Sequence, residues 1–280
     1  MVDVYVAKAF SKDGKGGNRA GVVLDSPDLT FYEKAETAKK LGYSETVFAS
    51  ASRKADLKLE YFTATGEVPL CGHATIAAFS VLRLLGRLDR QSYKIETQAG
   101  ILDIQIKEDG LVFMEQNRPI YLEVLGPDIF AGCLEEGYID RSLPIQTVST
   151  GLHDIMLPVD SREHLEQLSP NLNALAELSR RHKVVGLHAF TLRTGCGAAA
   201  VCRNFAPLYG IDEESATGTA SCALACYLFR YYQKKSRYIF EQGHNLGEVS
   251  QIAVDLSYDG GVIHSVCVGG YGYLSERRKV

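Results

Sequence analysis

Two stretches of the chain run apolar over about three helical turns without a charge, and shorter alternating segments flank each of them. The first is Glu67-Val-Pro-Leu-Cys71-Gly72-His73-Ala-Thr-Ile-Ala-Ala-Phe-Ser-Val-Leu-Arg83. The second is Glu213-Glu214-Ser-Ala-Thr217-Gly218-Thr219-Ala-Ser-Cys-Ala-Leu-Ala-Cys-Tyr-Leu-Phe-Arg230. Each reads as a helix opened by glycine and closed by its first arginine. A helix apolar on nearly every side must be buried on nearly every side. Gly72 and Gly218 lie 146 residues apart in a chain of 280, so the spacing predicts a half-chain duplication rather than a short-period array.

The remaining pattern is β-rich. Val2–Phe10 alternates as a strand, and a Gly/Lys loop over Lys12–Asn18 leads into Ala20–Leu24. Gly16-Gly17-Asn18 suits either a phosphate cradle or a tight loop needing positive φ, and without a following P-loop Lys-Ser/Thr pair the tight loop is favoured. Thr30 and Glu33 form a capping box for a helix that Gly42 stops. Strands follow at Tyr43–Phe48, Lys58–Phe62, Ser92–Glu96, Ile101–Lys107 and Leu111–Glu115, the last two joined by an Asp109-Gly110 turn. The chain crosses over around Pro119–Gly126, and Asp128–Glu135 reads as a short helix. Strands at Ile145–Ser149 and Asp154–Val159, helices at Arg162–Leu168 and Asn171–His182, and strands at Val184–Arg193 and Gly197–Arg203 lead to the second apolar helix. Strands at Arg237–Glu241, Val249–Leu256 and Val262–Val268 precede a charged tail, Glu276–Val280. The expected fold is α+β: two similar domains, 1–117 and 118–270, each a curled mixed sheet around a central buried helix, with 271–280 returning to the first.

Composition narrows the class. A net charge of −4 supplies no electrostatic attraction for nucleic acid or an anionic membrane. No apolar run reaches the ~20 residues of a membrane span. Seven cysteines scattered through apolar segments read as reduced thiols in a cytoplasmic protein. Cys222 and Cys226 have no partner pair at metal-ligand spacing, so no metal is expected.

The chemistry falls at the helix openings. Free N–H groups of a first helical turn and the positive dipole end suit an anion. Gly72, His73, Gly218 and Thr219 would offer such groups from the two halves to a small carboxylate held between them. Cys71, at a helix N-terminus, is in a position that activates thiols. Two such thiols would make a cofactor-independent amino-acid racemase, but aligning Gly72 with Gly218 places Thr217, not a cysteine, opposite Cys71. His73 is open to a role as acid, donor or packed polar group. Glu45 reads on its own as an acid at a strand end, and Glu214 as one favoured by the helix dipole.

The ordered set GGN-x-A-x-VV, SETVF, EVPLCGHATIAAFSVL, GIDEESATGTASCALACYL, EQG and VGG resembles the phenazine-biosynthesis PhzF-type isomerase family, from Val4 to Gly270. The resemblance implies a diaminopimelate-epimerase-like fold, a site in the cleft between the domains and no cofactor. It puts the proton-shuttling glutamate at Glu45, with His73 and Glu214 as its catalytic companions. Ser44, Cys71, Gly72, Gly218 and Thr219 would then contact a small carboxylate substrate. It also implies a homodimer. Glu214 stands where the family often has Asp, Thr219 where Ser is common, and Gly247-Glu248 where Gly-Arg is common. These departures bear on the substrate and leave the isomerase plan in place. The rival expectations are a racemase or epimerase using Cys71 and a non-catalytic small-molecule-binding or interaction protein.

Overall fold

The computed structural model describes residues 2–26 and 28–280. The chain forms two compact units, 1–115 with 269–280, and 116–268. Among the described residues five α-helices accompany strands that pair both parallel and antiparallel. Among the described residues no helix is long and apolar enough to cross a membrane.

In the first unit, β1 (Asp3–Ser11) pairs antiparallel with β2 (Asn18–Val23) across the Gly loop. That loop is tight: Gly17 has φ 89°, and a Cβ there would lie 2.6 Å from the Ala9 carbonyl oxygen. Helix α1 (Phe31–Leu41) begins with Thr30 and Glu33 in a reciprocal capping box and ends on Gly42 at φ 67°. Next, β3 (Glu45–Ser50) lies parallel to β2, and β4 (Leu57–Phe62) runs antiparallel to β3. After β5 (Glu67–Val68) comes the apolar helix α2 (Gly72–Leu84), and then β6 (Ser92–Thr97), parallel to β4. The strands β7 (Gly100–Ile106) and β8 (Val112–Gln116) follow as antiparallel neighbours. Helix α2 packs on β1, β2 and β3 and buries His73 through Phe79, Val81 and Leu82. The opposite side of β3 and β4 packs on α1 through Phe48, Phe62, Ala38 and Leu41.

The second unit begins with β9 (Ile120–Leu125), antiparallel to β10 (Ile145–Ser149), which is antiparallel to β11 (His153–Pro158). Helices α3 (Arg162–Gln167) and α4 (Leu172–His182) lead to β12 (Gly186–Thr191), parallel to β11. Then β13 (Ala200–Ala206) runs antiparallel to β12 and to β14 (Ile211–Glu214), α5 (Gly218–Tyr231) follows, and β15 (Arg237–Gln242) returns parallel to β13. Strand β16 (Ser250–Asp259) is antiparallel to β15. The second unit thus runs antiparallel pair, two helices, parallel strand, antiparallel pair, buried helix, parallel strand, where the first unit has the single helix α1 after its opening pair. Helix α5 packs on β10, β11 and β16 and is buried from Ala220 to Phe229. The last strand, β17 (Val262–Lys279), carries the chain back into the first unit, where it pairs antiparallel with β1 from Asp3–Lys279 to Ser11–Tyr271.

Besides the short strands β5 and β14, which were not expected, three segments differ from the sequence expectation. The stretch expected as a crossover holds β9. Asp128–Glu135 is no α-helix: a 3₁₀ turn, Pro127–Phe130, is cut short before Gly132 at φ 71°. The charged tail, expected to return to the first unit but not as a strand, is strand almost to the end, with Val2 and Val280 exchanging both backbone hydrogen bonds at 2.8 and 3.0 Å.

Candidate active site

Three element starts of the first unit converge on one polar cluster. Side chains alternate across a strand, so Phe48, which faces α1, sends Glu45 and Val47 to the α2 side of β3. Glu45 pairs with Ala20 of β2, two residues beyond Asn18. Helix α2 is anchored at its opening by a buried chain. The Thr75 hydroxyl donates to the Cys71 carbonyl at 2.7 Å, and since that uses its one proton, the Tyr61 hydroxyl donates to Thr75 at 2.6 Å. Burial pushes the Tyr61 phenol far above its usual range, keeping it a neutral donor.

This chain of bonds fixes His73 at the second position of the helix, 6% exposed. Its Nδ1 lies 3.5 Å from Asn18 Nδ2 and 3.4 Å from Cys71 Sγ. Its Nε2 lies 3.3 Å from Ser44 Oγ and 3.2 Å from Glu45 Oε2. The Glu45 contact is close without being a hydrogen bond: Oε2 is buried and accepts none. One thiol sulfur, one imidazole nitrogen and one carboxylate oxygen, from Cys71, His73 and Glu45, lie within 4.8 Å of one another and could hold a metal ion. Gly72 sits on the same turn. A Cβ there would meet nothing closer than Met114 Cε at 3.5 Å, so packing does not dictate glycine at this position.

No side chain caps α2. The surface helices differ: Thr30, Ser161 and Asn171 cap α1, α3 and α4 through their side-chain oxygens. The first-turn N–H groups of α2 therefore lack both helical and side-chain acceptors.

The second unit repeats the uncapped opening with other residues. Thr217 precedes Gly218 but does not cap α5: its hydroxyl donates to Glu214 Oε2 at 2.6 Å and its oxygen accepts from Gln242 instead. Gln242, wholly buried, holds this turn: its Nε2 donates to the Glu214 carbonyl at 2.7 Å and to Thr217 Oγ1 at 3.1 Å. Its Oε1 accepts from the Thr217 N–H at 3.2 Å. Gly218 is buried, and the Thr219 carbonyl accepts from Thr150 Oγ1 at 3.1 Å. Glu213 is tied elsewhere, in a two-pronged ion pair with the buried Arg203 at 2.7 and 2.9 Å. Cys222, deep inside α5, has its thiol pushed well up by burial.

The structure thus gathers Ser44, Glu45, Cys71, Gly72 and His73 in the first unit, and Glu214, Gly218 and Thr219 around one helix opening in the second. Spacing alone did not give Asn18 its place against His73, nor Gln242 its place under Thr217. Both lie within the motifs GGN and EQG, and that was the available signal.

A sequence model for phenazine biosynthesis-like proteins, PhzC-PhzF, matches residues 7–277. An "Uncharacterized isomerase YfhB" of Bacillus subtilis is 33% identical over 99% of this chain and 97% of its own length. An "Uncharacterized isomerase" of Deinococcus radiodurans is 34% identical over 94% of this chain and 89% of its own. Among solved structures, a Bacillus anthracis phenazine biosynthesis protein of the PhzF family superposes with a TM-score of 0.92 at 30% identity, covering 100% of this chain and 98% of that one.

Proposed function

Since this chain belongs to the phenazine biosynthesis-like PhzC-PhzF family and is an isomerase, we propose that it moves a proton within a small carboxylate-bearing metabolite, with Glu45 taking and returning that proton. The observation that carries this reading is Glu45 Oε2, a buried carboxylate oxygen accepting no hydrogen bond, 3.2 Å from the His73 imidazole. A buried acceptor left unpaired is costly in a folded chain. Such a cost is understandable where a substrate C–H completes the site.

In this reading the substrate carboxylate rests against the uncapped first turn of α2, where N–H groups and dipole favour an anion. Oε2 forms a bond to the substrate proton as the C–H bond breaks. The electron pair delocalises into the conjugated carboxylate, and the same proton passes to another carbon, restoring the Glu45 carboxylate. Ser44 and Asn18 hold the imidazole on its two nitrogens, so His73 positions the acceptor and the substrate together. The repeated strand and helix order of the two units is read as a duplication. In it, Glu214, Gly218 and Thr219 form the counterpart of the α2 opening.

A racemase with two thiols is the weaker reading. Thr217 occupies the Cys71 position of α5, and burial raises both Cys222 and Cys226, the latter to about 12. The test is hydrogen–deuterium exchange at carbon, followed by NMR in D₂O with a panel of cyclic and amino-acid carboxylates. Glu45→Gln is expected to lose roughly 10²–10⁴-fold in exchange rate, the usual worth of a general base, while Cys71→Ser keeps it. Exchange that survives Glu45→Gln but disappears in Cys71→Ser would instead establish the racemase. Exchange indifferent to both substitutions would remove both residues from the mechanism, and exchange with none of the compounds would favour a binding protein on this scaffold.

A further inference from the structure

We infer that Glu45, Cys71 and His73 form a binding site for a borderline-soft divalent cation, zinc above all, and that the bound ion blocks the proton transfer. Four-coordinate zinc with bonds of about 2.0–2.3 Å has ligand-to-ligand edges of about 3.3–3.7 Å. Here His73 Nε2 lies 3.2 Å from Glu45 Oε2 and 3.9 Å from Cys71 Sγ, and all three donors fall within 4.8 Å. The imidazole–carboxylate edge thus nearly matches a tetrahedral face; Cys71 Sγ, which lies nearer Nδ1 at 3.4 Å, and the Glu45 side chain, 19% exposed, each turn about their side-chain bonds to close the other two.

The donor chemistry points the same way. Sulfur and imidazole together select zinc over magnesium or calcium. A thiolate and a carboxylate cancel the 2+ charge, so the ion would sit among buried groups without net charge. The orphaned Oε2 would gain a partner. Asn18, beside Nδ1 at 3.5 Å, can turn its amide so that its oxygen receives the Nδ1 proton, which leaves the Nε2 lone pair to the metal. The fourth position stays open for water or a carboxylate. Coordination of Cys71 forms an S–Zn bond, breaks the S–H bond and releases that proton to solvent.

Binding stands on this geometry alone, whereas the block rests on the proposed role of Glu45: an Oε2 engaged by zinc cannot accept a proton. The probe is cobalt(II) chloride added to the full chain. The expected result is a thiolate-to-cobalt charge-transfer band in the near ultraviolet with strong visible bands of a four-coordinate ion, bleached by zinc chloride. Cys71→Ser and Cys71→Ala should both lose the charge-transfer band while keeping wild-type circular dichroism. Cys196→Ser, at an exposed thiol, should keep it. Glu45→Gln should weaken cobalt binding roughly tenfold or more. Absence of the band, or its survival in the Cys71 variants, overturns the site whatever the exchange assay shows. If the band forms but saturating zinc leaves wild-type exchange intact, the block is overturned, and with it the assignment of Glu45 as the proton carrier.

Discussion

Asp154 makes the second unit sensitive to pH in a direction unusual for a carboxylate. It sits on β11, 2% exposed, with a hydrogen bond from Asn204 and with Oδ1 unpaired. Burial pushes its carboxyl up to about 7. In the unfolded chain the same group titrates near 3.8, so between these values the folded state holds the extra proton. Its contribution is therefore complete below about pH 4 and is lost as pH rises to 7. About three pK units at ~1.4 kcal/mol each amount to a loss of about 4 kcal/mol. Neighbouring His188 runs oppositely: its wholly buried imidazole is lowered to about 3, so its contribution is present above pH 6.5 and lost as pH falls. Asp154→Asn keeps the shape and the neutral state and cancels the His188 part when compared with wild type at each pH. The variant should gain about 4 kcal/mol over wild type between pH 4 and 8. Urea unfolding gives the global value, and amide hydrogen exchange in β11 and β12, compared at matched pH, reads the second unit alone. Parallel profiles for the two proteins across that range would refute the reasoning.

Two further outcomes follow from contacts in each unit. Arg203 donates to Glu213 and to the carbonyls of Leu165, Glu166 and Leu168 from a nearly buried position. Arg203→Met should destabilise the chain by roughly 3–5 kcal/mol, because it strands the Glu213 charge, and the double variant Arg203→Met/Glu213→Met should recover part of that loss in urea titrations. The uncapped α2 opening should make stability depend on carboxylates: benzoate at a hundred times its dissociation constant would add about 2.7 kcal/mol, read as a raised Tm. Benzamide, lacking the charge, should add much less, and equal shifts with the two compounds would deny an anion site.

What could be read from the sequence is what is local. The charge-free runs before Arg83 and Arg230 announce buried helices, and Thr30 with Glu33 announces a capped one, because periodicity and capping are short-range signals. The missed β9 exposes Ile120 and Val124, so its apolar residues point away from the core and mimic no half-buried strand. It exists through its register with β10, from Ile120–Ser149 to Leu125–Ile145. The tail was expected to return to the first unit, but its strand character was opaque for the same reason: Glu276 pairs with Val6, a partner almost the whole chain away. Three strands set Asp154, His188 and Asn204 near one another, and no spacing along the chain encodes that. The approach of Asn18 and Glu45 to His73 is likewise a product of β2, β3 and α2 packing together.

The helix openings join the fold to its chemistry. An N-cap oxygen is worth about 1 kcal/mol, and the three surface helices all have one. Neither central helix does, though Thr217 is of a residue type that caps well. Its hydroxyl is held by Glu214 and Gln242 instead, and Cys71 lies against the imidazole of His73. Lack of a suitable side chain therefore explains α2 at most, and not α5. The same residues that forgo capping are engaged in the polar clusters, so the first-turn N–H groups stay open beside them. Local rules tend to be broken where function sets the requirement. Here both breaks fall at the buried helices, where an unmet N–H costs more than at the surface and a bound anion would return more.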